Sequence, residues 1–156
     1  MWPTIKTVIF TVVVEGFLTV LLPYPWLRIA RPISAFTYLG FACVVVGAAG
    51  YFWCAGLFSF LGKGTPAYID PPAKFVARGL YKRCRNPIYV SVLLVIAGEA
   101  LIARSWWLAA YVCGLALIYH LIVIFHEEPS LTRRFGAMYT GYCGEVPRWI
   151  PRLRPN

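Results

Sequence analysis

The stretch ARGLYKRCRNPIY, Ala77 to Tyr89, joins a strongly basic segment to a long apolar one. Its four basic side chains and one amide stand immediately before Pro87, and an apolar run follows. Proline is favoured in the first turn of a helix, where its missing N–H leaves no hydrogen bond unmade. Cationic and amide groups are therefore predicted just outside a helix N-terminus, the end of a helix that favours negative charge.

The composition favours a membrane protein. Of the 156 residues, 60% are hydrophobic and only 13% are charged, and the mean hydropathy is +0.66. A soluble domain of this length could not cover so much apolar surface, so the bilayer is the predicted solvent. The net charge is +9, but the basic residues cluster in loops and tail, which argues against a nucleic-acid partner.

Four apolar segments are long enough to cross a bilayer, which takes about 20 helical residues. They are predicted at Thr4 to Leu22, Ile33 to Leu61, Pro87 to Ala103 and Ser105 to His126. The first is interpreted as a retained transmembrane helix, because it contains Glu15 and lacks the small-residue cleavage site of a signal peptide. Almost no loop separates the last two segments, so they are expected to form an antiparallel hairpin.

The distribution of positive charge predicts the orientation of these helices. Twelve basic residues fall on the side of the two termini and the 62–86 loop, and three fall on the opposite side. By the positive-inside rule, both termini face the cytoplasm. The chain is predicted to be one multi-pass integral membrane domain, 1–156, whose first part, 1–61, holds two transmembrane helices.

The C-terminal region has a different pattern. From Pro129, apolar residues recur at the spacing of one helical face, which predicts an amphipathic helix lying in the cytoplasmic interface. The segment 146–151 is too rich in proline for a helix and too apolar for a free tail, so it is expected to fold back onto the membrane domain. The predicted fold class is therefore all-α, integral membrane, with four transmembrane helices and a C-terminal amphipathic interfacial helix.

Two adjacent carboxylates, Glu127 and Glu128, follow the fourth apolar segment on the same membrane side as the basic stretch. Charges placed there need cationic partners. One interpretation is a salt bridge to Arg78, Arg83 or Arg85. The other is that a carboxylate holds hydroxyls or an amine of a ligand. The two interpretations are compatible, because there are two carboxylates.

Ionisable residues inside apolar segments are functional candidates by default. Glu99 is expected to pair with Arg104 at the far interface. Glu15 has no such neighbour in sequence, although a protonated, hydrogen-bonded glutamate could be purely structural. His120 stands seven residues before Glu127, hence on the same helix face, where a packing role is commoner than a role as a base.

The five cysteines include no CxxC pair, and no cluster of His, Cys and Asp has the spacing of a metal site. No metal is therefore predicted. Cys84 stands among arginines that could lower its pKa, but a small residue tolerated in a loop is the plainer interpretation.

Six short motifs follow one another in the second half of the chain. They are Gly79-Leu-Tyr81, Arg85-Asn-Pro-x-Tyr89, Glu127-Glu-Pro129, Phe135-Gly-x-x-Tyr139, Tyr142 and Pro147-x-x-Ile-Pro151. This ordered set resembles the isoprenylcysteine carboxyl methyltransferases, and the phospholipid N-methyltransferases are similar over Asn-Pro-x-Tyr and Glu-Glu-Pro. Each motif is weak alone, but the order of the set is specific.

The resemblance implies an enzyme that methylates a lipophilic small molecule or lipid with S-adenosyl-L-methionine, among membrane lipids, with residues 62–156 as its cofactor-binding region. The implied cofactor-binding residues are Tyr81, Arg85, Asn86, Pro87, Tyr89, Glu127, Glu128 and Tyr139, of which Arg85 and Glu128 are also the catalytic candidates. Arg85 would hold the donor's carboxylate. Glu127 or Glu128 would hold its hydroxyls or amine, and a tyrosine face its sulfonium.

The methyl acceptor stays open. Asn86 stands where the isoprenylcysteine enzymes usually have histidine, and Ser91 where they tend to have glycine. Asparagine before proline is closer to the phospholipid enzymes. A carboxylate or thiol acceptor and a head-group amine are both retained. A non-catalytic module that binds anionic lipid through its basic loop is the alternative from another class. Sterol reductases with related C-terminal regions suggest reduction with a nicotinamide cofactor as a further one.

Overall fold

The computed structural model describes residues 5, 9, 11–27, 32–57 and 77–151, and every regular element within these ranges is helical. The helices are α1 (Thr11–Leu21), α2 (Tyr24–Leu27), α3 (Ala35–Leu57), α4 (Pro87–Ala103), α5 (Trp106–Ile122), α6 (Glu128–Phe135) and α7 (Ala137–Glu145). The predicted all-α class is confirmed. Parts of the first two predicted segments and the loop 62–76 lie outside the described residues.

Two helical stretches are long and apolar enough to cross a membrane, α3 and the run Trp106–Phe135. Four were predicted, but in the described part of the chain α1 and α4 fall short of that length. The 17 residues of α4 are bounded by local signals. Pro87 opens its first turn, and Arg104 ends it in the left-handed conformation at φ 47°.

The hairpin between α4 and α5 has the predicted tight turn. Ser105 caps α5, its hydroxyl accepting from the backbone N–H of Leu108 at 3.4 Å. The guanidinium of Arg104 donates to the carbonyl oxygen of Pro32 at 3.0 Å, so the predicted pairing of Arg104 with Glu99 is wrong. Glu99 is buried, and its Oε2 has no hydrogen-bond partner among the described residues.

Helices α3 and α4 pack with their backbones in close approach. A methyl group at Gly98 would lie 2.5 Å from the carbonyl oxygen of Gly40, and one at Gly47 would lie 2.7 Å from that of Ser91. Gly47, Gly50 and Gly56 of the second apolar segment predict close helix contact. The prediction is confirmed at Gly47 and at Gly50, where a methyl group would lie 2.6 Å from the Ser91 hydroxyl oxygen. It is wrong at Gly56, where no atom of the described residues lies within 4 Å. We call this contact the glycine seam.

The fourth predicted segment and the predicted interfacial helix are not separate. After α5, a π-helical turn, Val123–Glu127, leads directly into α6. The wider turn admits Pro129, which cannot supply the N–H of a regular helical hydrogen bond. The helix ends only at Gly136, whose φ of 53° suits glycine alone. The predicted amphipathic helix is therefore two elements, α6 and α7.

The buried core lies where α3, α4 and α5 meet. It comprises Tyr51, Cys54, Ala55, Tyr81, Ile88, Val92, Ile96, Leu115 and Tyr119. Tyr81 belongs to a short 3₁₀ turn, Gly79–Lys82, that precedes α4. Trp149 of the tail also packs against this core. The N-terminus of α4, the start of α6 and the tail are thereby brought to one end of the bundle.

Candidate active site

An ion pair between Arg85 and Glu128 forms the centre of the candidate site. Arg85 stands just before α4 and Glu128 opens α6, and the Arg85 Nη1 atom donates to Glu128 Oε1 at 2.9 Å. The salt-bridge interpretation of the carboxylate pair is thus confirmed for Arg85. The two alternative partners, Arg78 and Arg83, are exposed.

Glu128 has a second cationic partner, Arg148, that the sequence interpretation missed. The Nε atom of Arg148 donates to Glu128 Oε1 at 2.7 Å, and its Nη2 atom donates to Oε2 at 2.8 Å. This bidentate pair raises the pKa of Arg148, chiefly through its hydrogen bonds to Glu128. Both oxygens of Glu128 are therefore engaged by guanidinium groups.

The tail folds back over this end of the bundle, as predicted. The backbone N–H of Arg85 donates to the carbonyl oxygen of Pro147 at 2.9 Å. The Asn86 side chain donates from Nδ2 to the carbonyl oxygen of Arg148 at 3.1 Å. The Asn86 side chain does not cap α4. Its amide instead binds the tail through this hydrogen bond.

Cys84 lies beneath the same segment. It is buried, and its thiol donates to the carbonyl oxygens of Arg148 at 3.4 Å and Trp149 at 3.2 Å. Burial raises the pKa of the thiol, and this outweighs the lowering caused by a backbone hydrogen bond and by Arg85. The lowered pKa considered from the sequence is wrong, because the tail excludes water from this thiol.

Glu127 makes a different contact from its neighbour. Its carboxylate accepts a short hydrogen bond from the hydroxyl of Tyr89, which lies in the first turn of α4. The Tyr89 ring stacks on the ring of Tyr119, with centroids 4.4 Å apart and planes 25° apart. The two carboxylates are thus divided between two environments, one ionic and one aromatic.

The tail also contacts His120. The indole Nε1–H of Trp149 donates to the Nδ1 atom of His120 at 3.1 Å. This hydrogen bond occupies Nδ1, which is then the unprotonated nitrogen of a neutral imidazole. The contact agrees with the packing role that the sequence favours for His120, and the alternative role as a base for an amine acceptor is left open.

Two of the predicted tyrosines stand further back. Tyr81 is buried in the core, and its carbonyl oxygen accepts from the hydroxyl of Tyr142 at 2.6 Å. Tyr139 is 4% exposed and neighbours Cys143, whose Sγ accepts from Arg85 Nη1 at 3.0 Å. Burial raises the pKa of both tyrosines, so their hydroxyls stay protonated.

The structure therefore brings most of the predicted residues together. Arg85, Asn86, Tyr89, Glu127 and Glu128 meet at the N-terminus of α4, which begins at the buried Pro87. Tyr139 reaches this group through Cys143, whereas Tyr81 supports it from the core. In the ranges that the structure covers, no group of three or more His, Cys, Asp or Glu could hold a metal ion.

Comparison with known proteins gives one family and one curated relative. The sequence profile of the phospholipid methyltransferase family matches residues 35–138, which is more than half of the chain. A nickel-cobalt-cadmium resistance protein, NccN, of Alcaligenes xylosoxydans xylosoxydans is 29% identical over 120 residues. These cover 77% of this chain and 52% of NccN, so the chain spans about half the length of that relative. No solved structure matches.

Proposed function

The chain belongs to the phospholipid methyltransferase family, and from this premise we propose that it is an S-adenosylmethionine-dependent membrane methyltransferase that acts on a lipophilic acceptor. The family match agrees with the methyltransferase resemblance of the motifs. One structural observation carries the proposal further. The cationic segment before α4 and the acidic segment that opens α6 are in contact, with Arg85 and Glu128 2.9 Å apart.

The side chains at this contact fit the polar groups of the methyl donor. The Nε atom of Arg85 is buried and has no hydrogen-bond partner in the described part of the chain. We infer that this unused donor binds the carboxylate of the methyl donor. Glu127 keeps accepting capacity beyond its bond to Tyr89, and suits the donor's hydroxyls or amine. Glu128 is already engaged by two guanidiniums, so Glu127 is the stronger of the two candidates.

S-adenosylmethionine supplies a methyl group on a sulfonium sulfur. In the transfer, the acceptor's lone pair forms the new bond to the methyl carbon while the sulfur–carbon bond breaks and leaves its electron pair on a thioether. Such a displacement needs alignment and exclusion of water more than covalent catalysis. The stacked faces of Tyr89 and Tyr119 can attract a desolvated cation, and an amine acceptor would release its proton to Glu127.

The membrane arrangement follows from the same proposal. The two helical stretches of spanning length and the family together point to a membrane protein. We extend this to a single domain, 1–156, in which all four apolar segments span and both termini face the cytoplasm. The 17 residues of α4 reach about 26 Å, close to the hydrocarbon thickness of about 30 Å. Trp106 and Trp107, 89% and 75% exposed at the opposite end, suit a membrane interface.

The family match supports one chemical class of methyl acceptor more strongly than the motifs do. A phospholipid methyltransferase profile favours the head-group amine of a phospholipid, and Asn86 before Pro87 agrees with it. The carboxylate or thiol of an isoprenylcysteine-like molecule is the second candidate. The printed name of NccN concerns metal resistance and supports neither acceptor.

Binding of the donor is tested by titration calorimetry on the full chain in detergent. We expect saturable binding of S-adenosylmethionine, weakened about tenfold or more in Arg85→Ala and Glu127→Gln, since each removes a charge-assisted hydrogen bond. Arg133→Ala is the matched control, because Arg133 is exposed on α6 and should leave the affinity unchanged. Equal binding by all four proteins would remove both residues from the site, and no binding by the wild type would refute the enzyme and leave the lipid-binding module.

The acceptor is tested by transfer of a radiolabelled methyl group into a lipid extract, followed by mild base. Methyl esters release methanol under these conditions, whereas N-methyl groups keep the label. We expect the label to resist base. Release of the label would assign a carboxylate acceptor, as in the isoprenylcysteine enzymes.

A further inference from the structure

Glu15 is a buried carboxylate that the candidate site does not use. It stands in the middle of α1, is 6% exposed, and its Oε2 atom has no hydrogen-bond partner within the ranges that the structure describes. The sequence of α1 contains no basic residue that could pair with it. A polar group left unpaired in apolar surroundings is costly, and inside membranes such groups mark binding sites.

Glu15 lines a cavity of about 220 Å³ enclosed by three helices. Its walls are otherwise mainly apolar and include Val92 and Val95 of α4. On one side of the cavity, the hydroxyl groups of Tyr51 on α3 and Thr11 on α1 form a hydrogen bond, with their oxygens 2.8 Å apart. The cavity can therefore receive a small group with an apolar body, and the carboxylate of Glu15 is the charged group in its wall.

The cavity is reached from the outer surface of the bundle. Phe52 lies in its wall and is 65% exposed, on the α3 surface that would face lipid. A ligand dissolved in the bilayer can thus enter between α1 and α3 without crossing the basic end of the bundle.

The cavity also adjoins the candidate site. Tyr119 belongs to the same buried core as Tyr51 and Val92, which line the cavity, and its buried hydroxyl has no hydrogen-bond partner in the described residues. The ring of Tyr119 stacks on Tyr89, whose hydroxyl donates to Glu127. The cavity and the carboxylate proposed to face the methyl donor therefore adjoin the same cluster of aromatic side chains.

We propose that this cavity is the acceptor subsite, in which Glu15 binds the hydrogen-bond-donating, cationic end of a lipophilic amine that enters from the bilayer. A carboxylate accepts hydrogen bonds and attracts an ammonium group, whereas it repels a second carboxylate. Glu15 is therefore the residue that selects an amine over a carboxylic acid. This inference rests on the proposed methyltransferase function.

The test uses two probes with the same chain length, dodecylammonium and dodecanoate, and measures thermal unfolding of the full chain in a non-ionic detergent without S-adenosylmethionine. We expect dodecylammonium to stabilise the wild type more than dodecanoate does, and its apparent affinity to fall about tenfold or more in Glu15→Gln. Glu99→Gln is the matched control, because Glu99 is 9% exposed and its Oε2 also has no partner in the described residues, but it does not line the cavity. It should respond as the wild type does.

A second variant guards against a folding defect in Glu15→Gln. Ala48→Leu fills the cavity from α3 and should abolish the response to dodecylammonium. A cooperative unfolding transition of both variants in the absence of probe shows that they are folded. Equal stabilisation of the wild type, Glu15→Gln and Ala48→Leu, or no preference for the ammonium probe, overturns the inference. Because the probe measurement contains no methyl donor, failure to bind S-adenosylmethionine would count against the proposed function alone.

Discussion

Replacing Arg148 by alanine should release the tail, 146–151, from the end of the bundle. Two hydrogen bonds of 2.7 and 2.8 Å join its guanidinium to Glu128. A hydrogen bond to a charged group contributes about 1.5–3 kcal/mol when it is shielded from water. The Arg148 side chain is 32% exposed, so water replaces part of what is lost. We expect the docked tail to lose about 2 kcal/mol.

Amide hydrogen exchange measures this release at a defined atom. The backbone N–H of Arg85 is bonded to the carbonyl oxygen of Pro147 and is exposed when the tail leaves. A loss of about 2 kcal/mol corresponds to roughly 30-fold faster exchange at this amide. Arg148→Lys should give an intermediate rate, because an ammonium group keeps the charge but not the planar fork.

The control is Arg133→Ala, which removes an exposed guanidinium from α6 without touching the tail. It should leave the exchange of the Arg85 amide unchanged. If Arg148→Ala also leaves it unchanged, the ion pair does not anchor the tail. The packing of Trp149 against the core and its bond to His120 would then be sufficient.

Three further predictions concern the helices and the covered thiol. Gly136→Ala should lower the free energy of unfolding by about 1–3 kcal/mol, because φ at this position is 53°. Gly141→Ala lies in open space inside α7 and should raise the free energy of unfolding by about 0.5–1 kcal/mol. Thermal unfolding in detergent compares the two variants. Gly98→Ala should destabilise by about 1–3 kcal/mol, because its methyl group would lie 2.5 Å from a carbonyl oxygen of α3. At Gly56 no atom of the described residues lies within 4 Å, so Gly56→Ala should be neutral or stabilising. Equal melting temperatures of the Gly98→Ala and Gly56→Ala variants would refute the close approach. Cys84 should resist alkylation by iodoacetamide until the pH is well above the usual pKa of a thiol, since burial raises its pKa. Arg148→Ala, which releases the tail, should remove this protection. Rapid alkylation of the wild type would contradict the prediction.

Features set by local chemistry could be predicted from the sequence. Pro87 marks the start of α4, and the close succession of Arg104 and Ser105 marks a hairpin, because each acts through its own backbone or its immediate neighbours. The contact between Arg85 and Glu128 followed from a different argument. The charge pattern assigns opposite charges to the same side of the membrane, where few other partners are available. It therefore predicts a contact between two residues that lie 43 positions apart in sequence.

The remaining features depend on information that no spacing rule contains. A π-helical turn has no composition of its own, so the continuation of α5 into α6 past Pro129 could not be read from the chain. Arg148 lies in a segment without periodicity, and only the folded tail shows which carboxylate it meets. Glu99 was paired with the nearest arginine in sequence, but that guanidinium finds the carbonyl oxygen of Pro32 instead.

The glycine seam limits how this protein can admit anything from the bilayer. At Gly98 and Gly47 the two main chains approach with no side chain between them, so separating α3 and α4 would break the close contacts at both positions. We expect α3 and α4 to move together as one rigid body. The acceptor proposed above would then enter between α1 and this pair of helices. A covalent crosslink between α1 and α3 should therefore block its entry while leaving the contact between α3 and α4 unchanged.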